Sequence, residues 1–123
     1  MTDIRKTGML GEKIALDYLL SKGYKIIDKN WRKSRYEIDL IVSIDDSLIF
    51  VEVKSGHETD YGPPELRVDL RKQKRIVKAA EEYLSALDKI PLEIRFDVIV
   101  VLNPNSESPD INHIESAFTA DFE

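Results

Sequence analysis

The chain lacks several residue types and patterns, and each absence excludes a class of protein. It has no cysteine among its 123 residues, which excludes disulfide bonds and thiolate metal sites and fits a cytoplasmic protein. No apolar run reaches about 18 residues, so no transmembrane helix is expected. The N-terminus lacks the apolar stretch of a secretory signal, and no tandem repeat is visible. We therefore expect a cytoplasmic protein with no membrane partner, folded as a single domain over residues 1–123.

Charge is distributed unevenly along the chain. The formal net charge of −5 argues against a surface that attracts nucleic acid everywhere. The segment from Arg67 to Lys78, however, holds six basic residues and one acid, Asp69. From Glu107 to the end there are five acids and no lysine or arginine. The basic segment is therefore a candidate surface for an anionic partner, although the total charge hides it.

The spacing of apolar residues predicts an α/β protein. Gly23 is placed to end the first helix, and Ser55 begins a loop rich in glycine, proline and polar residues. The clearest strand, at 92–102, is apolar on both faces, as is typical of a strand covered by helices on both sides. The order of elements fits an α/β sandwich with a mixed sheet. The predicted elements are helices at 5–22 and 68–87, strands at 24–31 and 92–102, a β-hairpin at 37–54, and a strand or helix at 111–118.

The hairpin at 37–54 forces two carboxylates together. With Asp45 and Asp46 in its turn, counting outward places Asp39 directly opposite Glu52, on one face of the pair. Opposed residues have Cβ atoms about 5 Å apart, and like charges there are destabilising. A positive charge is therefore expected between them. It can come from Lys54, from a shared proton, or from a divalent metal such as Mg²⁺.

Simpler interpretations of these residues remain open. The same register sets Lys54 opposite Glu37, so the two can form an ordinary cross-strand ion pair. Glu12 lies at the start of a largely apolar helical stripe, where it is either a functional acid or a carboxylate favoured by the helix dipole. Gly8 and Gly11 flank it and allow the backbone to approach another element closely.

The second helix carries its charges in an unfavourable order. Its cations crowd the first turns and Glu81 and Glu82 follow, whereas the helix dipole favours the reverse. An anion such as phosphate, bound at the positive end, explains this order; a solvated charged face is the alternative. Gln73 lies among the cations and can hydrogen-bond the site or a phosphate.

Four further residues receive structural interpretations. Arg95 and Asp97 project to the same side of the strand at 92–102 and can pair with each other. His57 is expected to be solvated and His113 to be structural, with a ligand role for His57 as the alternative.

Together these residues fit metal-dependent hydrolysis of a phosphodiester. Carboxylates that hold Mg²⁺ or Mn²⁺ can lower the pKa of bound water and neutralise charge on a phosphate. A nearby lysine can orient the attacking water and stabilise the transition state. Cationic side chains would hold the DNA backbone, with strong salt dependence. The candidate DNA-binding residues are Arg32, Lys33, Arg35, Arg71, Lys72, Lys74, Arg75 and Lys78.

Asp39, Glu52 and Lys54 have the D-x12-E-x-K spacing that resembles the PD-(D/E)xK motif of the restriction-endonuclease-like superfamily. Eight ordered blocks over nearly the whole chain also look like the YraN-like family, small and mostly uncharacterised bacterial proteins similar in fold to archaeal Holliday-junction resolvases. These blocks are GE at 11–12, KGY at 22–24, NWR at 30–32, EIDLI at 37–41, FVEVK at 50–54, KQKR at 72–75, RFDV at 95–98 and HIESAF at 113–118.

This resemblance implies a restriction-endonuclease-like sandwich with a mixed central sheet, a hairpin that carries the motif, and helices on both faces. It implies an endonuclease-like hydrolase dependent on Mg²⁺ or Mn²⁺ that acts on DNA, and by analogy a homodimer. The positions that match the catalytic motif are Glu12, Asp39, Glu52, Lys54 and Gln73, of which Asp39, Glu52 and Glu12 are the implied metal ligands.

The chain departs from the family pattern at three points. Tyr36 stands where the family usually has glycine before EIDL, and its ring is expected to narrow the approach to the site. Asp46 replaces the turn glycine and is a residue type that tolerates positive φ. Ser55 and Gly56 replace a Thr-Arg pair and remove a cation beside the site.

The leading hypothesis is a metal-dependent deoxyribonuclease-like domain that acts on branched or damaged DNA. One alternative is a nucleic-acid-binding module of the same fold with weak or no catalysis. The other is a protein-interaction domain, in which the acids only pair with Lys54 and Arg35.

Overall fold

The computed structural model describes residues 4–56 and 68–120, and the predicted elements are present within a few residues of their expected bounds. The stretch at 111–118 is a strand and not a helix. His57, the Pro63–Pro64 pair and Arg67 lie outside the described residues. The elements are α1 (Ile4–Ser21), β1 (Lys25–Lys33), β2 (Tyr36–Ile44), β3 (Ser47–Gly56), α2 (Leu70–Ser85), β4 (Glu93–Leu102) and β5 (Asp110–Phe118).

The five strands form one mixed sheet in the order β1-β2-β3-β4-β5. The chain runs through α2 between β3 and β4, which are parallel; the other neighbours are antiparallel. A parallel pair needs such a crossover, because the chain must return to the same end of the sheet. The hairpin of β2 and β3 therefore lies in the middle of the sheet, with β1 and β5 at its edges.

One helix covers each face of the sheet, as the sequence predicts. On one face Leu19 of α1 packs in a cluster with Ile49 and Ile99 of the sheet. On the other face Ile76 of α2 packs in a cluster with Phe50. The expected architecture, an α/β sandwich with a mixed sheet and a central motif-bearing hairpin, is confirmed. No helix within residues 4–56 and 68–120 is long and apolar enough to span a membrane.

Two turn residues adopt left-handed backbone conformations. Gly23 has φ +92° and ends α1, where the N–H groups of Gly23 and Tyr24 donate to the carbonyls of Leu20 and Leu19 at 3.1 Å. This confirms the predicted helix end. In the hairpin turn the positive φ of 52° belongs to Asp45. The tolerance of aspartate for positive φ is therefore used at Asp45, the first central position of this two-residue turn, and not at Asp46.

A buried carboxylate joins α1, β4 and β5. Asp97, only 1 % exposed, accepts hydrogen bonds from Nε and Nη2 of Arg95, both at 2.8 Å, which confirms the predicted pair. His113 Nε2 lies 2.7 Å from the same carboxylate, and its Nδ1 lies 3.1 Å from the hydroxyl of Tyr18 on α1. Burial alone would raise the pKa of Asp97, but hydrogen bonds from His113, Arg95 and the Ser116 N–H hold it below its ordinary value. These bonds agree with the structural role expected of His113.

Candidate functional site

The two central carboxylates of the hairpin meet as the strand register predicts. The β2–β3 ladder extends to Leu40 opposite Val51, and the next residues outward are Asp39 and Glu52. The Asp39 and Glu52 side chains lie within hydrogen-bonding reach of each other. Two carboxyl groups can share a hydrogen bond only if one of them carries the proton.

Asp39 lies where β2 departs from regular strand geometry. Its Oδ2 accepts a hydrogen bond of 2.8 Å from the Val53 backbone N–H, so a side chain satisfies a donor of the neighbouring strand. Ile38 packs in the cluster on the α2 face, whereas Leu40 packs in the cluster on the α1 face. In a regular strand, residues two apart share a face. The alternation therefore breaks at Asp39, which fixes its carboxylate beside β3.

Glu52 is the most electrostatically perturbed carboxyl group of this site. Its side chain is only 10 % exposed, and burial, together with the adjacent Asp39 carboxylate, raises its pKa to about 8. The charges of Lys72 and Lys54 oppose this rise. Lys72 Nζ lies 3.6 Å from Oε2 of Glu52, which makes it the nearest ion-pair partner of this carboxylate. The site thus favours any positive charge that neutralises the pair.

Glu12 reaches the same region from the opposite layer of the fold. Partial burial raises its pKa, and the charges of Asp39 and Glu37 add to the effect. Gly11 explains how α1 comes close to the hairpin, because a Cβ added there would lie 2.5 Å from the Cβ of Ser55 on β3. A Cβ added at Gly8 would have no atom within 4 Å. The predicted close approach is therefore confirmed at Gly11 and wrong at Gly8.

The donor set fits a divalent cation in part. Mg²⁺ is usually held by one or two carboxylates plus water, and Asp39 with Glu52 supplies such a pair. Within residues 8–56 and 68–120, however, no group of three or more His, Cys, Asp or Glu side chains could hold a metal ion. Glu12 therefore contributes to the negative field at Asp39 without completing a ligand cluster.

Lys54 and Gln73 lie near the site with different surroundings. Lys54 is half-buried on β3, and its charge acts on Glu52. Glu37 does not pair with Lys54; its Oε2 lies 3.1 Å from Nη2 of Arg32 across the β1–β2 pair. The Gln73 amide donates a 2.9 Å hydrogen bond to the Val68 carbonyl just before α2, so its nitrogen supports the start of that helix.

The contact of Lys72 with Glu52 was not foreseen from the sequence, which assigned Lys72 to the DNA-binding surface. Asp69 is the N-cap of α2, and its carboxylate accepts the Lys72 N–H at 2.8 Å. This cap fixes the first turn and directs Lys72 toward the hairpin. The cap could have been found in the sequence, because aspartate is a favoured N-cap residue. The ion pair could not, because it depends on how α2 packs on the sheet.

The predicted DNA-binding residues fall into three groups. Lys72 belongs to the carboxylate site. Arg32 and Lys33 form exposed ion pairs, with Glu37 at 3.1 Å and Glu82 at 3.2 Å. The remaining cations line an open groove of about 440 Å³ together with one aromatic residue. These groove residues are Arg35, Tyr36, Arg71, Lys74, Arg75 and Lys78.

Comparison with known proteins gives strong sequence matches. A family model described as "Uncharacterised protein family UPF0102" matches residues 11–101. A UPF0102 protein of Natranaerobius thermophilus is 46% identical over 116 residues, 93% of this chain and 98% of that protein. One of Bacteroides thetaiotaomicron is 40% identical over 118 residues, 96% of each chain.

Among solved structures, Pyrococcus furiosus SfsA in complex with Ca²⁺ matches with a TM-score of 0.37 and 20% sequence identity. The match covers 92% of this chain and 64% of that one, so this chain spans less than two thirds of the SfsA chain.

Proposed function

This chain belongs to the uncharacterised protein family UPF0102, the YraN-like proteins, and we propose that it is a metal-dependent endonuclease-like hydrolase of DNA phosphodiester bonds. The proposed substrates are branched or damaged DNA. The proposal includes a cytoplasmic location, where such DNA is found, and a homodimer by analogy with two-fold symmetric resolvases.

The observation that carries the proposal is the partly buried carboxylate pair of Asp39 and Glu52. Burial and the adjacent Asp39 raise the pKa of Glu52 to about 8, so the two carboxyl groups can ionise together only when a positive charge lies beside them. Asp39 and Glu52 would hold a Mg²⁺ or Mn²⁺ ion, and the charge of Glu12 would strengthen the attraction. When bound, such an ion supplies Lewis-acid stabilisation and lowers the pKa of bound water.

The chain's own cations fit the rest of the chemistry. Lys54 and Lys72 both act electrostatically on Glu52, so both lie close enough to stabilise negative charge on a phosphate beside it. Lys72 would exchange its contact with Glu52 for one with the phosphate. The cations of the adjacent groove would hold the DNA backbone on either side of the bond to be cleaved.

Cleavage assays with defined variants test the proposal. Wild-type protein is incubated with labelled junction, flap and linear DNA in Mg²⁺ or Mn²⁺, alongside Glu52→Gln and Lys54→Ala. We expect metal-dependent cleavage that falls at least about 100-fold in both variants, since each removes a group that acts at the reacting phosphate. Glu107→Gln, an exposed acid between β4 and β5, serves as the matched control and should cleave normally. Wild-type activity that survives chelation, or that Glu52→Gln retains, would overturn the proposal.

A nucleic-acid-binding module without catalysis is the second candidate. It is favoured by the ion pair of Lys72 with Glu52, which already supplies some positive charge to the pair, and by the missing third ligand among the described residues. DNA binding that persists in chelator and in Glu52→Gln, with no cleavage of any substrate, would establish this candidate. Thermal stabilisation of wild type by Mn²⁺, absent in Glu52→Gln, would favour the metal-dependent enzyme.

A further inference from the structure

The groove beside the carboxylate site is built from two separate parts of the fold. Arg35 comes from the two-residue turn between β1 and β2, where Ser34 has a positive φ of 58°, and Tyr36 begins β2. The other wall is the exposed face of α2. The cavity has a volume of about 440 Å³, which is large enough to admit part of a nucleotide chain.

The α2 wall presents a row of cations. Its four basic residues follow the spacing i, i+3, i+4, i+7, which places them on one helix face over about 10 Å. Arg71, Arg75 and Lys78 form no ion pair with an acid in residues 8–56 or 68–120, although the protein as a whole carries a net negative charge. This row of cations therefore attracts an extended anion. The residues of the row are Arg71, Lys74, Arg75 and Lys78.

Tyr36 adds an aromatic surface to this cationic groove. Its ring is half-buried and packs against the core cluster on the α2 face, so one side of it is supported. The guanidinium carbon of Arg35 lies over the ring, 5.8 Å from its centroid, and Tyr36 also lines the groove. A base that stacks on this ring therefore takes the place of the Arg35 guanidinium, which is then free to contact a phosphate. A supported aromatic ring in a cationic groove is the arrangement by which proteins bind single-stranded nucleic acid, because phosphates contact the cations and a base stacks on the ring.

We propose that this groove binds a single-stranded segment of DNA, with one base stacked on Tyr36 and the phosphates along the basic face of α2. A duplex offers phosphates but keeps its bases stacked inside, so only an unpaired base can use the tyrosine ring. The inference rests on the proposed function for the identity of DNA as the substrate, and it narrows that substrate to a flap, an overhang or a splayed arm.

The groove and the carboxylate pair are neighbours along both β2 and α2. Tyr36 is three residues before Asp39 on β2, a distance of about 10 Å along a strand. On α2, Arg71 of the groove adjoins Lys72 of the site. A single strand with a base on Tyr36 therefore passes the carboxylates within a few nucleotides of that base. Incision is expected at that separation from the stacked base.

Binding assays in chelator test the groove without any cleavage. A fluorescein-labelled single strand of about 15 nucleotides and its duplex are titrated with wild type, Tyr36→Phe and Tyr36→Leu. We expect Tyr36→Phe to bind the single strand normally. Tyr36→Leu should bind it about 5- to 100-fold more weakly, because that is the loss expected when the stacking of one base is removed. The affinity of both variants for the duplex should be unchanged. Circular dichroism verifies that each variant is folded, since Tyr36 also contacts the core.

Two further measurements distinguish base stacking on Tyr36 from electrostatic binding of the DNA backbone. A single strand that contains 2-aminopurine should lose fluorescence on binding to wild type and retain it with Tyr36→Leu. Arg75→Gln, a matched change of charge in the same groove, should weaken single-strand and duplex binding alike and reduce the salt dependence. Tyr36→Leu that binds single strands as tightly as wild type, or that weakens duplex binding equally, would overturn the inference.

The two proposals fail in different ways. Metal-dependent cleavage that persists unchanged in Tyr36→Leu would refute the groove alone. Tyr36-dependent binding of single strands by a protein that cleaves no substrate in Mn²⁺ would refute the hydrolase alone and support the groove.

Discussion

Replacement of Glu52 by glutamine tests the electrostatic basis of the site. In the folded protein burial and Asp39 raise the pKa of Glu52 from its ordinary value of 4.5 to about 8. Between these two pH values the unfolded chain loses the proton while the folded chain keeps it, so the folded state loses stability as the pH rises. Glutamine resembles the protonated acid and does not titrate. Glu52→Gln should therefore remove this loss of stability.

The size of the effect follows from the pKa values. Each pKa unit corresponds to about 1.4 kcal/mol, so a rise from 4.5 to about 8 sets an upper limit of about 5 kcal/mol. The pKa of about 8 already includes the opposing charges of Lys72 and Lys54, and residual solvent at a side chain that is 10 % exposed reduces the free energy further. We expect Glu52→Gln to be more stable than wild type by about 2 kcal/mol at pH 8.5, with the difference shrinking to a few tenths of a kcal/mol near pH 4.5.

Urea denaturation in chelator, followed by the fluorescence of Trp31, measures this difference at pH 4.5, 6.5 and 8.5. Trp31 is the single tryptophan and is partly buried on β1. Glu107→Gln, at an exposed position, is the control and should show no such pH-dependent gain. If Glu52→Gln is no more stable than wild type at pH 8.5, or gains equally at every pH, Glu52 does not hold a proton in the folded state and the reasoning fails.

Two further predictions concern parts of the fold that support the site. Gly11→Ala should destabilise the protein by about 1–3 kcal/mol in urea denaturation, because its Cβ would lie 2.5 Å from the Cβ of Ser55. Gly8→Ala, on the same helix with nothing within 4 Å, should instead stabilise it by about 0.5–1 kcal/mol through helix propensity; equal effects of the two changes would disprove the close approach. Asp97→Asn should cost about 3 kcal/mol, because it leaves the partly buried Arg95 with only the exposed Glu115 as a charged partner. The pKa of Asp97 is lowered in the folded state, so its contribution is present above about pH 4, the pKa of an unfolded aspartate, and is lost as the pH falls below it. A wild-type melting temperature that drops below pH 4 no more steeply than that of Asp97→Asn would contradict this assignment.

The hairpin could be predicted from the sequence because its register depends only on residues that are close together in the chain. Two apolar runs with a short acidic turn allow only a small set of registers, and counting outward pairs Asp39 with Glu52. The same logic gave the contact between Arg95 and Asp97, which share one strand face. The resemblance to the YraN-like family, drawn from eight ordered blocks, is confirmed by the match to UPF0102.

Contacts between distant elements could not be obtained in this way. Periodicity showed that α2 carries a buried stripe, but its rotation and position on the sheet decide that Lys72 meets Glu52 while Arg75 faces the groove. The break in alternation at Asp39 was equally hidden, since it depends on a side chain accepting the N–H of Val53. The roles of the metal and of the predicted site residues stay predictions.

Two glutamates report on the two helices that cover the sheet. The charge of Asp39 helps to raise the pKa of Glu12 on α1, while Lys72 of α2 contacts Glu52 and opposes the rise of its pKa. A substitution that loosens α2, even many residues from the acids, should therefore change the pH at which Glu52 ionises, and one that loosens α1 should change that of Glu12. The titrations of these two side chains thus show separately whether each outer layer of the sandwich is in place.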